Sequence, residues 1–299
     1  MNLNTLECTP KQDVRSKWAL QGVQCVASCH KKSHMYHRIK SYLKDRLSNQ
    51  QRNKLRKTVA KLFAPFYSDN LTILADLFGT DKTNGHWYTP HYMTHLSRFK
   101  NKQINLLEIG VGGEERPLVG GHSLRMWKSY FPEGKIYSID IYDKSALQED
   151  RIKIYRGSQV DKPFLEGIIA EVGAFDVIID DGSHHNEHII ESFKILFPHL
   201  KDGGVYVVED IQTSYWEDHG GDSLNLNNPN TAMNFFKGLT DCLNHQEITH
   251  EQYQETYFDK KIISIHFYHN MVFIYKGDNN EPSNRVRNHQ RLNSKASSS

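Results

Sequence analysis

Between residues 104 and 211, short apolar runs alternate with stretches whose apolar positions recur at helical spacing. The runs INLLEIG (104–110), KIYSIDIY (135–142), RIKIYRG (151–157), FDVIIDDG (175–182) and GVYVVEDI (204–211) are strand-like: short, rich in β-branched residues and flanked by polar residues. Helical spacing predicts helices over SLRMWKSYF (123–131), KPFLEGIIAEV (162–172) and HHNEHIIESFKILFPHL (184–200). Farther on, KIISIHFYHNMVFIYKG (261–277) holds two β-rich runs broken at His269–Asn270, which predicts an antiparallel hairpin. Alternating strands and helices predict a mostly parallel sheet covered on both faces. The hairpin would give that sheet an antiparallel edge.

The ends of the chain follow other patterns. From His30 to Lys61 there are eleven Lys and Arg and one acid, Asp45. Met35, Tyr36, Ile39, Tyr42, Leu43 and Leu47 recur at helical spacing, so the N-terminal segment 1–70 is read as basic and helical. Such a segment serves as a solvated cover or oligomer contact, or meets an anionic membrane or nucleic acid. The tail 279–299 is rich in Asn, Ser and Arg with few apolar residues, and disorder is expected. The catalytic-type domain is therefore placed at 71–278.

Composition narrows the class. No run approaches the roughly 18 apolar residues that span a bilayer. The opening MNLNTLECTPKQDVRSKW lacks an apolar core of signal-peptide type, and four cysteines are too few for a disulfide scaffold, so a cytoplasmic location is expected. Cys25 and Cys29, beside His30, form one C-x3-C without a second pair and read as free thiols. With 37 Lys+Arg against 35 Asp+Glu, the net charge of +2 does not demand a polyanionic partner.

Ligands of a parallel sheet bind beyond the carboxyl ends of its strands. The first strand ends Glu108-Ile-Gly110-Val-Gly112-Gly113, where glycines permit a tight turn and close approach of a ligand. The second ends at Asp140, an acid able to accept both hydroxyls of a ribose. Together these describe an adenosine pocket. The dinucleotide pattern G-x-G-x-x-G fails, because Glu115 stands where its last glycine belongs. Glu114 and Glu115 would repel a pyrophosphate. A phosphate-free nucleoside with a cationic end, S-adenosylmethionine, fits better, with Glu108 facing that cationic end.

Two later strands run into Asp180-Asp181-Gly182-Ser183-His184 and Glu209-Asp210. If these strands pair at about 4.8 Å, Asp181, Glu209 and Asp210 bring three carboxylates to one point. Such a group is costly without a cation, and hard oxygen donors select Mg²⁺. Helix capping by Asp181 or Ser183 is the plainer alternative. Asp180 is read as turning toward the cofactor or the helix end. His184 stands where an imidazole could take a proton from an acceptor hydroxyl, or simply cap the helix. The same residues match H-x-x-E-H (His184, Glu187, His188), a zinc-hydrolase pattern that would need Glu251 or Glu255 as third ligand. That alternative leaves Glu108, Asp140, Glu209 and Asp210 without roles.

The blocks Leu77-Phe-Gly-Thr-Asp-Lys82, His86-Trp-Tyr-Thr-Pro-His-Tyr92, LLEIGVGG, SLRMWKSYFP, IYSIDIYDKS, FDVIIDDGSHH and GVYVVEDIQTSYW occur in that order over about 71–276. In order and spacing the chain resembles the metal-dependent sugar O-methyltransferases of macrolide biosynthesis. The resemblance implies a Rossmann-like class I methyltransferase α/β fold with a seven-stranded sheet, S-adenosylmethionine and Mg²⁺ as cofactors, and a glycoside or saccharide acceptor. By that pattern Asp181, Glu209 and Asp210 are metal ligands and His184 is the base. Glu108, Gly110, Gly112, Asp140, Gln159 and Asp180 would hold the cofactor. Lys82, His86 and Tyr88 are read as folding back toward the acceptor. Tyr215 and Trp216 belong to a segment, 212–230, expected to be a mobile acceptor loop. The family carries a large N-terminal domain where this chain has its basic segment, so a homo-oligomer built through that domain stays open. The basic segment also keeps nucleic-acid methylation as the other reading. The insert 114–122 reads as a lid over the cofactor or as a surface loop.

Overall fold

The computed structural model describes residues 56 and 58–292. The chain divides into two units, Met1–Leu62 and Phe63–Ser299. Of the first, the described residues 56 and 58–62 have helical backbone. The rest of that unit, with Cys25 and Cys29, lies outside the described residues.

The second unit is a seven-stranded sheet of β1 (Asn105–Ile109), β2 (Lys135–Asp140), β3 (Ile152–Arg156), β4 (Phe175–Asp180), β5 (Leu200–Glu209), β6 (Ile262–Tyr268) and β7 (Met271–Lys276). Their order is β3-β2-β1-β4-β5-β7-β6. The first five are parallel, and β7 runs antiparallel to both β5 and β6. This is the predicted parallel sheet with its hairpin edge, a Rossmann-like class I methyltransferase topology. Helices flank it: α1 (Leu71–Phe78), α2 (Asp81–Asn84), α3 (Thr89–Leu96), α4 (His122–Tyr130), α5 (Lys162–Val172), α6 (Asn186–Leu196), α7 (Ala232–Gly238) and α8 (Tyr257–Lys261).

The central strands are buried on both faces, as parallel strands must be. Leu106, Leu107, Val177, Ile178, Ile179, Val205, Val207 and Val208 are all inaccessible to solvent. On one side of the sheet Phe193 of α6 packs against Phe197, Tyr206 and Phe236, with ring centroids 4.9–5.1 Å apart. On the other, Trp127 of α4 and Tyr92 of α3 meet edge to face at 4.9 Å.

Register positions the chemistry. Ile109 lies beside Asp180, and Asp180 beside Val208. Residues just past β1, β4 and β5 therefore emerge at one edge. Strand order reverses between β1 and β4, because the chain runs outward from β1 to β2 and β3 and then returns. That reversal opens the crevice.

Three boundaries differ from the sequence reading, each for a local reason. Helix α6 begins at Asn186, since His184 takes a left-handed φ of 57° and cannot start a helix. Strand β5 begins at Leu200, four residues early, and includes Gly203 and Gly204. Part of the 279–299 tail carries backbone pairing. Val286–Arg287 pairs with Gln290–Arg291 across a turn at Asn288–His289. Polar side chains hold it there: Asn279 Nδ2 donates to the carbonyls of Cys242 and Asp259, and His289 Nδ1 to that of Ile248. Apolar content alone missed these bonds.

Candidate active site

A cavity of about 800 Å³ opens at the carboxyl ends of β1, β2 and β4. Its floor is the turn after β1. Gly110 has a φ of +97°, and a Cβ there would lie 2.1 Å from the carbonyl oxygen of Asp181, so the β1 and β4 turns close on each other only through glycine. Gly112, with a φ of +75°, would point a Cβ into open space. Its bare backbone is thus free to meet a ligand.

Asp140 ends β2 on the cavity wall. Its Oδ2 accepts from the Val111 amide at 3.0 Å and its Oδ1 from the Tyr142 amide at 2.9 Å. A carboxylate has about four lone-pair sites, so both oxygens keep capacity for a diol. Gln159 also lines the cavity, but its amide is spent on protein. Nε2 donates to Asp180 Oδ1 at 3.2 Å, and Oε1 accepts from the Ser183 amide at 2.9 Å.

Glu108 and Asp180 stand behind the wall, not in it. Each is at most 2% exposed, and neither lines the cavity. Asp180 accepts from Ser192 Oγ at 2.6 Å, and burial pushes its carboxyl up to about 6. It anchors Gln159. Burial likewise pushes Glu108 up to about 7 against the opposing charge of Lys82. Its Oε2 accepts from Ser123 and Trp127.

The insert 114–122 forms part of the cavity wall. Lys144, fully buried, donates to the carbonyls of Arg116 and Val119 at 2.9 and 3.1 Å. Arg125 holds the Gly120 and Gly121 carbonyls. Arg116 also pairs with Glu114 at 3.6 Å.

At one side of the cavity Asp181, His184 and Asp210 bring candidate ligand atoms within 4.8 Å of one another. His184 Nε2 lies 3.8 Å from Asp210 Oδ2. Both residues adopt left-handed backbone, with φ of 57° and 53°. Such strain in non-glycine residues costs energy and concentrates at functional sites. The donor set suits a divalent ion: carboxylate oxygens with an imidazole at their edge.

Glu209, next to Asp210, turns inward. Its Oε1 accepts from Lys82 Nζ at 2.6 Å and from Tyr92 Oη. Lys82 Nζ also donates to Asp181 Oδ2 at 2.8 Å and lies 3.3 Å from Glu108 Oε1. Burial works against the Lys82 ammonium, but Asp181, Glu209 and Glu108 together hold its pKa well above the usual lysine value. Acids outnumber the base here, so burial and the charge of Asp181 push Glu209 upward. Asp210 moves the other way. Burial opposes its charge, but hydrogen bonds from Tyr88 and Gln212, aided by His184 and His86 beside it, hold it below the usual range.

These contacts correct the reading of Lys82 as an acceptor contact. It is 0% exposed and enclosed by three carboxylates. Tyr88 is 2% exposed and donates to Asp210 Oδ1 at 2.6 Å. His86 stacks on Tyr88 at 4.6 Å and keeps an exposed edge. Tyr215 and Trp216 are 41% and 48% exposed and do not line the cavity. Their segment is built of 3-10 turns (Ile211–Tyr215 and Glu217–His219), tied down by Asn186 Nδ2, which donates to the carbonyls of Thr213 and His219.

The H-x-x-E-H geometry does not form. His184 precedes the helix, so it cannot share a face with His188. His188 Nδ1 instead bonds Ser183 Oγ at 2.9 Å, and Glu255 pairs with Lys260.

Tyr92, Ser192 and Asn186 hold site groups in place without being singled out for it in the sequence. Tyr92 carried a signal, since it follows Tyr88 by four residues and therefore shares its helix face. The other two carried none. Among the described residues no helix is long and apolar enough to cross a membrane.

No family model matches the chain. Over 197 residues, 66% of the chain, it is 47% identical to mycinamicin VI 2''-O-methyltransferase of Micromonospora griseorubida, covering 49% of that protein. It is 46% identical, again over 66% of the chain, to demethylmacrocin O-methyltransferase of Streptomyces fradiae, covering 50% of it. The structure resembles the MycE methyltransferase from the mycinamycin biosynthetic pathway, solved in complex with Mg and SAH. The TM-score is 0.69 at 45% identity, over 71% of this chain and 56% of that one. The chain spans about half the length of the curated relatives it matches.

Proposed function

We propose that the chain is a Mg²⁺-dependent O-methyltransferase that moves a methyl group from S-adenosylmethionine to a sugar hydroxyl of a glycosylated natural product or polysaccharide. The observation that carries this reading is the meeting of Asp181, His184 and Asp210 within 4.8 Å beside a glycine-floored cavity. The likeness to sugar O-methyltransferases supports it.

In this reading Gly110, Gly112 and Asp140 cradle the nucleoside. Bare backbone at Gly112 admits close approach, and Asp140 accepts the ribose hydroxyls. Gln159 sets the inner wall, with Asp180 fixing its amide. Glu108 acts from behind the wall as part of the negative field facing the cationic end of the cofactor. S-adenosylmethionine supplies, when bound, an electrophilic methyl on a sulfonium.

Asp181 and Asp210 would hold the ion, and Glu209, which lies outside the Asp181–His184–Asp210 group and turns its Oε1 inward, would complete the set through its second oxygen. Oxygen donors suit Mg²⁺, whereas an imidazole ligand suits softer ions, so His184 is left free to act on a proton. Mg²⁺, when bound, would acidify and orient the acceptor hydroxyl. His184 takes the hydroxyl proton on Nε2. The walls around it align the reactants and exclude water. His86, with its exposed edge, and the exposed Tyr215 and Trp216 lie outside the cavity lining, and in this reading they are available to the acceptor. The cysteine usage suits a cytoplasmic enzyme, and Cys242 is a buried free thiol.

The test is mass spectrometry of methyl transfer from S-adenosylmethionine to a panel of glycosides. Methylated glycoside should appear with Mg²⁺ and vanish on chelation. Transfer that persists in chelator, or no glycoside methylated by a protein that binds the cofactor, defeats the reading.

A further inference from the structure

Lys82, Tyr88 and Tyr92 all lie between residues 79 and 96, outside the sheet, yet each ends on a carboxylate of the site. Their exposures are 0%, 2% and 0%, so none can touch an acceptor. Their bonds follow one pattern. On Asp181 the side-chain donor falls on Oδ2, from Lys82. On Glu209 both donors fall on Oε1, from Lys82 and Tyr92. On Asp210 both fall on Oδ1, from Tyr88 and Gln212. Among the described residues the second oxygen of each acid has no side-chain hydrogen bond. For Asp210 that oxygen is the one facing His184.

We propose that Lys82, Tyr88 and Tyr92 are positioning residues for the divalent ion, each tying one oxygen of a liganding acid so that the other is presented to the metal. The inference rests on the reading that Asp181, Glu209 and Asp210 hold Mg²⁺. It extends that reading to a segment that precedes the sheet and makes no contact with ion or acceptor. The geometry of the segment serves the role. Tyr88 and Tyr92 are four residues apart and share a face. Thr80 caps α2 through the Lys82 amide, which fixes where the lysine side chain departs. Tyr88 Oη also lies 3.4 Å from the Asn270 carbonyl, at the turn between β6 and β7. A ligating group held this way loses little freedom on binding. Removing outer partners of metal ligands typically lowers metal affinity about 10–100-fold.

The experiment is calorimetric titration of Mg²⁺ into the full chain, its Tyr88→Phe and Tyr92→Phe variants, and the double variant. S-adenosylhomocysteine titration, urea unfolding and acceptor KM at saturating Mg²⁺ are measured alongside. The exchange of Tyr for Phe keeps ring and volume and removes only the hydroxyl. The expected result is roughly tenfold weaker Mg²⁺ binding in each single variant, with nucleoside affinity and acceptor KM within twofold of wild type. Unchanged Mg²⁺ affinity in both variants overturns the inference. A rise in acceptor KM alone, or a loss of stability alone, overturns it as well, the first pointing to acceptor contact and the second to a structural role. If the wild-type protein takes up no Mg²⁺, the metal reading falls and this inference with it.

Discussion

Lys82 Nζ lies 2.6 Å from Glu209 Oε1, joining a one-turn helix near the start of the domain to the end of β5. Both side chains are almost completely buried. A buried pair is a modest source of stability, because desolvation offsets most of the attraction, but breaking one side leaves an uncompensated charge. Here three acids depend on a single ammonium. Replacing Lys82 with Met should destabilise the fold by about 3–5 kcal/mol, read from the urea midpoint at neutral pH. A loss below about 1 kcal/mol, the range of an exposed pair, would mean that the acids find other partners.

The two glycines of the β1 turn should fail differently. Gly110→Ala places a methyl 2.1 Å from the Asp181 carbonyl, so the β1 and β4 turns must part. Gly112→Ala meets nothing and pays only for its left-handed backbone, about 1–2 kcal/mol. Its methyl, however, points into the space proposed for the cofactor. Gly110→Ala should therefore unfold at clearly lower urea. Gly112→Ala should keep most of its stability and bind S-adenosylhomocysteine at least tenfold more weakly by calorimetry. Equal urea midpoints for the two would refute this division.

The sheet is legible because its strands are short apolar runs separated by stretches of helical spacing, and those that build the site end in a polar signal. Asp140, Asp181 and Asp210 could be placed at one edge from order alone. Side-chain direction could not. Glu209 and Asp210 are neighbours in a strand end, so their side chains leave on different sides, one into the interior and one toward the cavity. Nothing in the sequence marks Lys82 as the interior partner, because a lysine in a polar block reads as surface. The region 211–261 was equally opaque. It is assembled from 3-10 turns and helices of seven residues or fewer, several tied by single side chains such as Asn186, and such short elements leave no periodic trace. The two short paired strands beyond Asn279 leave no periodic trace either.

His95 makes the fold sensitive to acid. Nδ1 meets Tyr275 Oη at 2.7 Å, and Nε2 meets Tyr268 Oη at 2.9 Å. The ring stacks on Phe273 at 4.1 Å. Burial, helped by the nearby charges of His266, His91 and Arg98, lowers its pKa to about 4. The unfolded value is about 6.5. Between these two the unfolded chain binds the proton and the folded chain does not. Stability from this site is therefore complete above about pH 6.5 and is lost as pH falls toward 4. His95→Gln keeps hydrogen-bonding capacity and cannot titrate. Its melting temperature should fall less than that of wild type between pH 7 and pH 5. Parallel falls in the two proteins would show that His95 does not govern this window.

His184 offers the sharpest division between binding and chemistry. Its imidazole sits 3.8 Å from Asp210, and its left-handed backbone holds it off the end of α6. It makes no hydrogen bond on which the β1 turn depends, so the nucleoside pocket should survive its removal. His184→Ala should lower the turnover number about 10²–10⁴-fold, the usual worth of a positioned general base, and leave S-adenosylhomocysteine affinity within twofold. A base is needed most where the hydroxyl still holds its proton, so residual turnover of the variant should climb with pH as the solvent takes over that task. Stopped assays from pH 6 to 9 on both proteins would measure the two slopes. Full turnover in the variant at neutral pH would remove His184 from the proton's path, and lost nucleoside binding would assign it to the pocket.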